Sequence, residues 1–546
     1  MAGVLVLTAG LAQVVQGTEA SVGDAPATAV IEPQGVKPFF IGEFRVKGAH
    51  ALKPLEIETA VYPFLGPGRT EEDVKAACAA LEKVYRDKGY SLPSVQYAAQ
   101  LGKGGVVMVQ VAESTVARLR VKGARYFSPA QIKAEAPSLA EGKAVNFNEV
   151  KKDMIALSQS ADRRVTPTLK PGEEPGTFDV DLEVQDKLPV HASVDLNNRH
   201  GPDTSALRLN ATVSASNLWQ RGHAASLSYQ TSPQKPKEVA VYSGFYLARF
   251  PSLENFSLML QGVKQNSNVS TLGDTAVTGR GETYGAHATI VLPAAEAFYH
   301  SFTAGMDFKY YHEKLRTGGV DTKTPITSYP FSVSYNATWI GKHSTTEGEA
   351  GVNFHFRGMG SDSNAFNRAR SGADGGYAIL TGSLSRRQDL PAGFELFARA
   401  QGQLANQPLL SSEKISGGGV GTVRGYLEAE ATGDQGAFAS VELRSPSLFG
   451  LWNKKNEQKP ADGKPVEVEK TGEWRWYTFG DWGVLGVSEA LAEEKARFEL
   501  VSVGLGTRIK LYDHFSGSLE AGVPLKSLSR TKAHDMRILF RAGVDY

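Results

Sequence analysis

The chain has 546 residues, 41% of them hydrophobic, with 59 basic against 58 acidic side chains, a mean hydropathy of −0.25 and one cysteine. That length exceeds an ordinary single domain, and the balanced charge gives no footing for nucleic acid, whose binding proteins concentrate basic surface. No internal run of about eighteen apolar residues exists to cross a membrane as a helix, so any crossing must be made by the strands of a closed barrel, the one other way to satisfy every backbone polar group in lipid.

Residues 1–17 hold an apolar stretch from Val4 to Val15 followed by small residues, the middle and end of a secretory signal without its basic first part. They read as a signal remnant, too short for a spanning helix. Residues 18–37 read as a linker. Gly23, Pro26, Pro33 and Gly35, with Pro38 after them, argue against a long helix there.

Two modules follow. Phe44-Arg45-Val46-Lys47-Gly48-Ala49 returns 75 residues later as Leu119-Arg120-Val121-Lys122-Gly123-Ala124. In each copy a capped helix comes next, marked by Thr70 with Asp73 before Val74, Cys78, Leu81 and Tyr85, and by Asn146 with Glu149 before Val150, Met154 and Leu157. Each copy ends on an alternating strand, Val106 to Val111 and Phe178 to Val184. Strand, helices, then strands predicts tandem α+β modules. Cys78, at helical spacing among apolar residues, reads as a small core residue rather than a reactive thiol.

From about Val190 helical periodicity gives way to short alternating runs separated by Gly, Asn, Asp and Pro. Leu207, Leu209, Ala211, Val213 and Ala215 interleave with Arg208, Asn210, Thr212, Ser214 and Ser216. Ala439, Val441 and Leu443 interleave with Ser440, Glu442 and Arg444. Charges keep to one phase. The lipid face of a barrel penalises a charge by roughly 2–4 kcal/mol at mid-depth, whereas a wet lumen accepts it. At roughly 20–25 residues per strand and connection, residues 189–546 supply on the order of sixteen strands. They are expected near 190–198, 205–216, 222–231, 237–249, 256–268, 281–293, 301–313, 328–340, 346–357, 375–387, 392–404, 436–445, 474–483, 497–511, 514–523 and 536–546. In the last run Met536, Ile538, Phe540, Ala542, Val544 and Tyr546 share a face, and the chain stops on an aromatic.

Three segments stand out from the strands. Gly417-Gly418-Gly419-Val420-Gly421-Thr422-Val423-Arg424-Gly425-Tyr426 is glycine-rich around one arginine, but without a following Gly-Lys-Ser/Thr and an opening helix it is no phosphate loop. Its glycines permit a loop that lies close against other backbone. The charged stretch Asn453 to Thr471 reads as a solvated connector. Between Trp474 and Gly483, Arg475, Tyr477, Phe479 and Asp481 share one face and Trp474, Trp476 and Trp482 the other. Tryptophans against lipid place Asp481 inside, where a charge-assisted pair with a tucked-in arginine is one reading and plain solvation the other.

The Val-Arg-Gly-Tyr loop, the Phe-x-Asp-x-Gly strand, the two preceding modules and the aromatic C-terminal strand, in this order, resemble the two-partner secretion transporters of TpsB type, in the superfamily of the outer-membrane barrel-assembly proteins. The resemblance covers residues 38–546. It implies polypeptide-transport-associated (POTRA) domains at 38–114 and 115–188 in the periplasm, and a sixteen-stranded transmembrane β-barrel at 189–546 in the bacterial outer membrane. It also implies an inward sixth surface loop locked by Val423, Arg424, Gly425, Tyr426, Phe479, Asp481 and Gly483, with Arg424 paired to Asp481. Phe540 and Tyr546 would serve as the signal read by the barrel-assembly machinery. A plug helix found in some relatives is not expected after the signal.

The implied activity is passage of one large, unfolded exoprotein to the cell surface. No cofactor or ATP is expected, and export would draw on the folding of the client outside. A barrel-assembly factor would share the loop and strand motifs but commonly carries three or more POTRA modules. A passive porin would leave the modules without purpose. An enzyme lacks support: none of the eleven histidines falls in a His-Glu-x-x-His, and no Gly-x-Ser-x-Gly or paired cysteines occur.

Overall fold

The computed structural model describes residues 38–449 and 472–546, apart from 91–93, 99–103, 159, 251–252, 254, 268, 273–274, 279, 318–319, 493 and 513. The signal remnant, the linker and the charged stretch Asn453 to Thr471 lie outside the described residues. The chain divides into two compact units, Met1–Leu188 and Pro189–Tyr546.

Unit 1 is built twice. In the first module β1 (Glu43–Lys47), α1 (Pro54–Val61), α2 (Glu71–Asp87), β2 (Ser94–Tyr97) and β3 (Val106–Ala112) form a three-stranded sheet ordered β1-β3-β2, with β1 and β3 parallel. The second repeats the order with β4 (Thr115–Lys122), α3 (Pro129–Ala134), α4 (Phe147–Leu157), β5 (Arg163–Pro171) and β6 (Thr177–Asp186), arranged β4-β6-β5. The repeated hexapeptide ends each first strand on the same device: Gly48 and Gly123 take φ of +81° and +82°, and a Cβ there would lie 2.2 Å from the Val111 carbonyl oxygen and 2.5 Å from that of Val184.

The helices start where their caps require. The backbone N–H of Thr70 donates to Asp73 Oδ2 (2.8 Å), and Asn146 Oδ1 accepts from the N–H of Asn148 and Glu149. α2 presents Val74, Cys78, Leu81 and Tyr85 to Val107, Val109 and Val111, and burial pushes the Cys78 thiol pKa up. In the second module Ile132, Leu139, Val150 and Leu157 close over Val180, Leu182 and Val184.

Unit 2 is a closed antiparallel barrel. Its strands are β7 (Val190–Asn197), β8 (Arg208–Leu218), β9 (His223–Thr231), β10 (Ala240–Arg249), β11 (Phe256–Gln265), β12 (Arg280–Val291) and β13 (Phe298–Thr317). Then come β14, in two pieces (Val320–Ser328 and Phe331–Gly341), β15 (Ser344–Phe354), β16 (Ala378–Asp389), β17 (Glu395–Ala405) and β18 (Gln435–Arg444). β19 (Gly472–Gly486), β20 (Arg497–Leu511), β21 (Phe515–Pro524) and β22 (Arg537–Asp545) complete the sixteen. β22 pairs with β7 from Arg541↔Asn197 to Asp545↔Ser193, and the N–H of Tyr546 donates to the Ala192 oxygen at 2.8 Å.

All sixteen expected strands are present, but one hairpin is longer than expected. β13 runs on to Thr317 and pairs with Val320–Ser328 before β14 breaks at Tyr329 and Pro330. Pro325 punctuates that stretch as a loop would, yet it stands in the ladder opposite His312.

The faces fall as the alternation requires. Val213 (55% exposed), Leu227, Leu384, Trp476, Trp482, Ile538 and Val544 point outward, while Arg208, Glu442, Tyr477, Phe479, Asp481 and Leu539 are buried within.

Candidate functional site

The connection from β17 to β18 folds as a hairpin. Ile415–Gly417 pairs with Ala431–Gly433, and the glycine-rich tip lies beyond that stem. Within the tip Gly418 N–H donates to Thr422 Oγ1 (2.9 Å) and Gly419 N–H to the Val423 oxygen (3.1 Å), so a short turn presents Val423, Arg424, Gly425 and Tyr426 as a rigid set.

Arg424 meets the inner face of β18 and β19. Its Nε and Nη2 donate to the two oxygens of Asp481 at 2.8 and 2.7 Å, and its backbone N–H adds a third bond to the same carboxylate at 3.0 Å. Nη1 donates to Glu442 Oε1 at 2.5 Å and Nη2 to Ser440 Oγ at 3.0 Å, while that hydroxyl donates to Asp481 Oδ1 at 2.7 Å. The guanidinium carbon stands 3.6 Å from the centre of the Phe479 ring. A planar fork engaged on both edges and one face is a task for which lysine has neither the geometry nor the donors.

The centre of the cluster is buried, and its charges balance. The Arg424 and Asp481 side chains are 4% and 0% exposed. Glu442 also pairs with Arg444 (2.7 Å) and Arg508 (3.4 Å), and Glu520 takes a bond from the Tyr477 hydroxyl (2.5 Å) and lies 3.6 Å from Arg508. Desolvation offsets much of the attraction in such a cluster.

The other expected residues assemble around it. Val423 and Tyr426, both fully buried, pack with Phe438, Leu485 and Leu500. The Tyr426 hydroxyl donates to the Lys526 oxygen (2.7 Å) and accepts from the Val501 and Lys526 N–H groups. Gly425, at φ +89°, lies back to back with Gly522 of β21, where a Cβ would come 2.9 Å from the Gly425 nitrogen. At Gly483 a Cβ would fall 2.4 Å from the Phe438 ring and 3.1 Å from Val423, so this position must be bare for the loop to seat. Phe540 and Tyr546 lie away from this cluster on β22 and just after it. The Phe540 N–H donates to Asn198 Oδ1 (2.9 Å), and Tyr546 is largely exposed.

Sequence reasoning placed Glu442 and Ser440 inside the barrel without assigning them to Arg424. Register supplies the missing step, since Ser440 is paired with Asp481 and Glu442 with Phe479. It also missed Gly522, Phe438 and two acidic anchors. Glu428 pairs with Arg199 (3.1 Å), and Glu430 accepts the N–H groups of Arg530 and Thr531. These partners sit in surface connections with no local signature.

Known proteins resemble this chain over most of its length. The family description haemolysin secretion/activation protein ShlB/FhaC/HecB matches residues 176–463, more than half of the chain, and the ShlB-type POTRA domain matches residues 39–114. The outer membrane transporter CdiB of Escherichia coli O6:K15:H31 is 24% identical over 438 residues, covering 76% of this chain and 70% of that protein. Among solved structures, CdiB from Escherichia coli superposes with a TM-score of 0.66 at 20% identity, covering 96% of this chain and 93% of that one. BamA from Haemophilus ducreyi lacking POTRA domains 1-3 gives 0.53 at 13% identity, covering 93% and 100%. The two structural likenesses establish the barrel fold, and the family match separates secretion from barrel assembly: the chain belongs to the haemolysin secretion/activation protein family ShlB/FhaC/HecB, two-partner secretion transporters of TpsB type in the bacterial outer membrane.

Proposed function

We propose that this chain captures one large secreted exoprotein in extended form in the periplasm and passes it through the barrel to the cell surface without ATP. The observation that carries the reading is a closed sixteen-stranded barrel with a hairpin loop seated on its inner wall by Arg424, in a chain whose front matches a POTRA domain. Residues 115–188 are taken as a second POTRA domain because they repeat the strand order and the glycine stop of the first. Capture uses main-chain hydrogen bonds, with the client adding a strand to a free sheet edge. Folding at the surface then withdraws the client from the unfolded pool and gives movement its direction.

In this reading Val423, Arg424, Gly425, Tyr426, Phe479, Asp481 and Gly483 form a lock that holds the loop across the lumen at rest and must yield for transit. The outward apolar residues meet membrane lipid. Phe540, on the strand that closes the barrel, and Tyr546, just after it, form the segment recognised by the barrel-assembly machinery. No catalytic chemistry, cofactor or nucleic acid enters the proposal. The test compares secreted proteins from cells with and without the chain: one large exoprotein should disappear from the medium and remain in the periplasm. An unchanged set of secreted proteins with a general loss of outer-membrane barrels would instead assign it to barrel assembly.

A further inference from the structure

At the base of the loop a further ionic contact has, like Glu428 with Arg199, the opposite polarity to that of Arg424. Glu413, just ahead of the hairpin stem, accepts from Lys309 Nζ of β13 at 2.7 Å, and the two side chains are 7% and 18% exposed. β13 is the seventh barrel strand, whereas the loop leaves from the eleventh and Arg424 is held by the twelfth and thirteenth. This contact therefore reaches four strands across the wall from the point where the loop emerges.

Its surroundings make Glu413 a fixed point. Gln403 Nε2 donates to the Glu413 backbone oxygen (2.9 Å), and the Glu413 N–H donates to the Leu410 oxygen (2.9 Å). Leu409 and Leu410 are buried with Ile326, Phe366, Tyr377 and Ile379. On the β13 side, Asp307 shares the inward face with Lys309 and accepts from Gln261 Nε2 at 3.3 Å beside His287 (3.0 Å). Lys309 thus bonds the loop through Glu413 and lies two residues along the same face from Asp307, which His287 and Gln261 engage. Beside the pinned limb lies a cavity of about 320 Å³ whose lining includes Glu349, Thr381, Ser383, Gln401, Lys414 and Ser416.

We propose that Lys309 and Glu413 form a further retaining contact, a positioning pair that holds the base of the loop while Arg424, alongside the Glu428 and Glu430 anchors, holds its tip, so that the pore opens only when the base is released as well as the tip. This rests on the reading of the loop as the resting obstruction. The placement of Asp307 makes the pair asymmetric. Removing Lys309 leaves Glu413 buried without its cation and takes away a positive charge on the face that Asp307 shares, whereas neutralising Glu413 leaves Lys309 on that face with Asp307 two residues away and only loosens the base.

Ion conductance of the purified full chain in planar bilayers tests this without any exoprotein. Lys309→Met is expected to raise open probability by roughly tenfold or more and Glu413→Gln by less, with the exchange Lys309→Glu/Glu413→Lys returning it to within about twofold of the parent. Single variants that gate as the parent does, or an exchange that leaks as much as Lys309→Met, would overturn the pairing. If a variant does not insert, Lys309→Cys/Glu413→Cys in a Cys78→Ser background, bridged by a short bis-thiosulfonate, should suppress openings until reduced. Gating indifferent to the bridge overturns the proposal as well. Should conductance follow the prediction while no secreted protein depends on the chain, the transport reading falls and the contact stands.

Discussion

The two units put the same alternation of residues to opposite use. In β3 of the first module Val107, Val109 and Val111 turn inward beneath Leu81 and Tyr85, whereas in β8 of the barrel Val213 turns outward and Asn210, on the other face, donates to Asp195 Oδ2 at 2.8 Å inside. The modules exclude water from their middle. The barrel excludes it from the outside, and its buried ions, Arg424 with Asp481 above all, sit where a module keeps leucine. What a strand treats as its interior is thus set by the solvent around the unit, while the two-residue period stays the same.

The comparison is tested most severely at the ionic centre. Arg424→Ala leaves Asp481 and Glu442 without their shared cation, a loss of about 3–5 kcal/mol for the seated loop. A heat-modifiable barrel should still reach the membrane while export stops, and unchanged export of the partner would remove the proposed lock. The counterpart in a module is Leu182→Ala at a fully buried position. It should cost about 2–5 kcal/mol and make 115–188 susceptible to limited proteolysis while the barrel keeps its heat-modifiability.

Charge on the outer face comes next. Val213→Arg should cost about 2–4 kcal/mol at mid-depth, read as a lower denaturant midpoint for refolding into vesicles, whereas Ser214→Arg, one residue on and facing the lumen, should cost far less. Equal losses for the two would contradict the assignment of faces. The symmetry of the modules is probed by Gly48→Ala and Gly123→Ala, each expected to cost more than about 1 kcal/mol because both positions need positive φ and a bare Cα. Protection of β3 and β6 in hydrogen exchange should fall in parallel, and a loss confined to one module would break the equivalence.

The smallest effect depends on pH. Lys122 Nζ and then Lys170 Nζ donate to Asp181 at 2.8 and 3.0 Å and hold its carboxyl at about 2, below the ordinary 3.8. A depressed acid contributes fully above its unfolded value and loses that contribution as pH falls through the folded one. Protection of β6, corrected for intrinsic exchange, should therefore decline from about pH 4 toward pH 2, and Asp181→Asn should flatten that slope.

Much of this molecule was legible in one dimension because its signals are local. The caps at Thr70 and Asn146 mark two helix starts, and the repeated hexapeptide marks two modules. The run from Trp474 to Gly483 assigns Asp481 to the inside by parity alone. The extension of β13 was hidden because Gly318, Gly319 and Pro325 resemble a turn, and its stability comes from pairing with Val320–Ser328 rather than from its own residues.

Sequence alone determined which residues share a face in the four clearly alternating runs and that an arginine-tipped, glycine-rich loop precedes an inward aspartate, because period and backbone freedom belong to neighbouring residues. Only the closed tertiary structure decided that Glu442 and Ser440 join Asp481 around Arg424, that Gly522 makes room for Gly425, and that Glu413 reaches Lys309. Parity tells inside from outside but carries no information about position around the barrel. That position is fixed by strand order and register, which bring together residues more than a hundred positions apart.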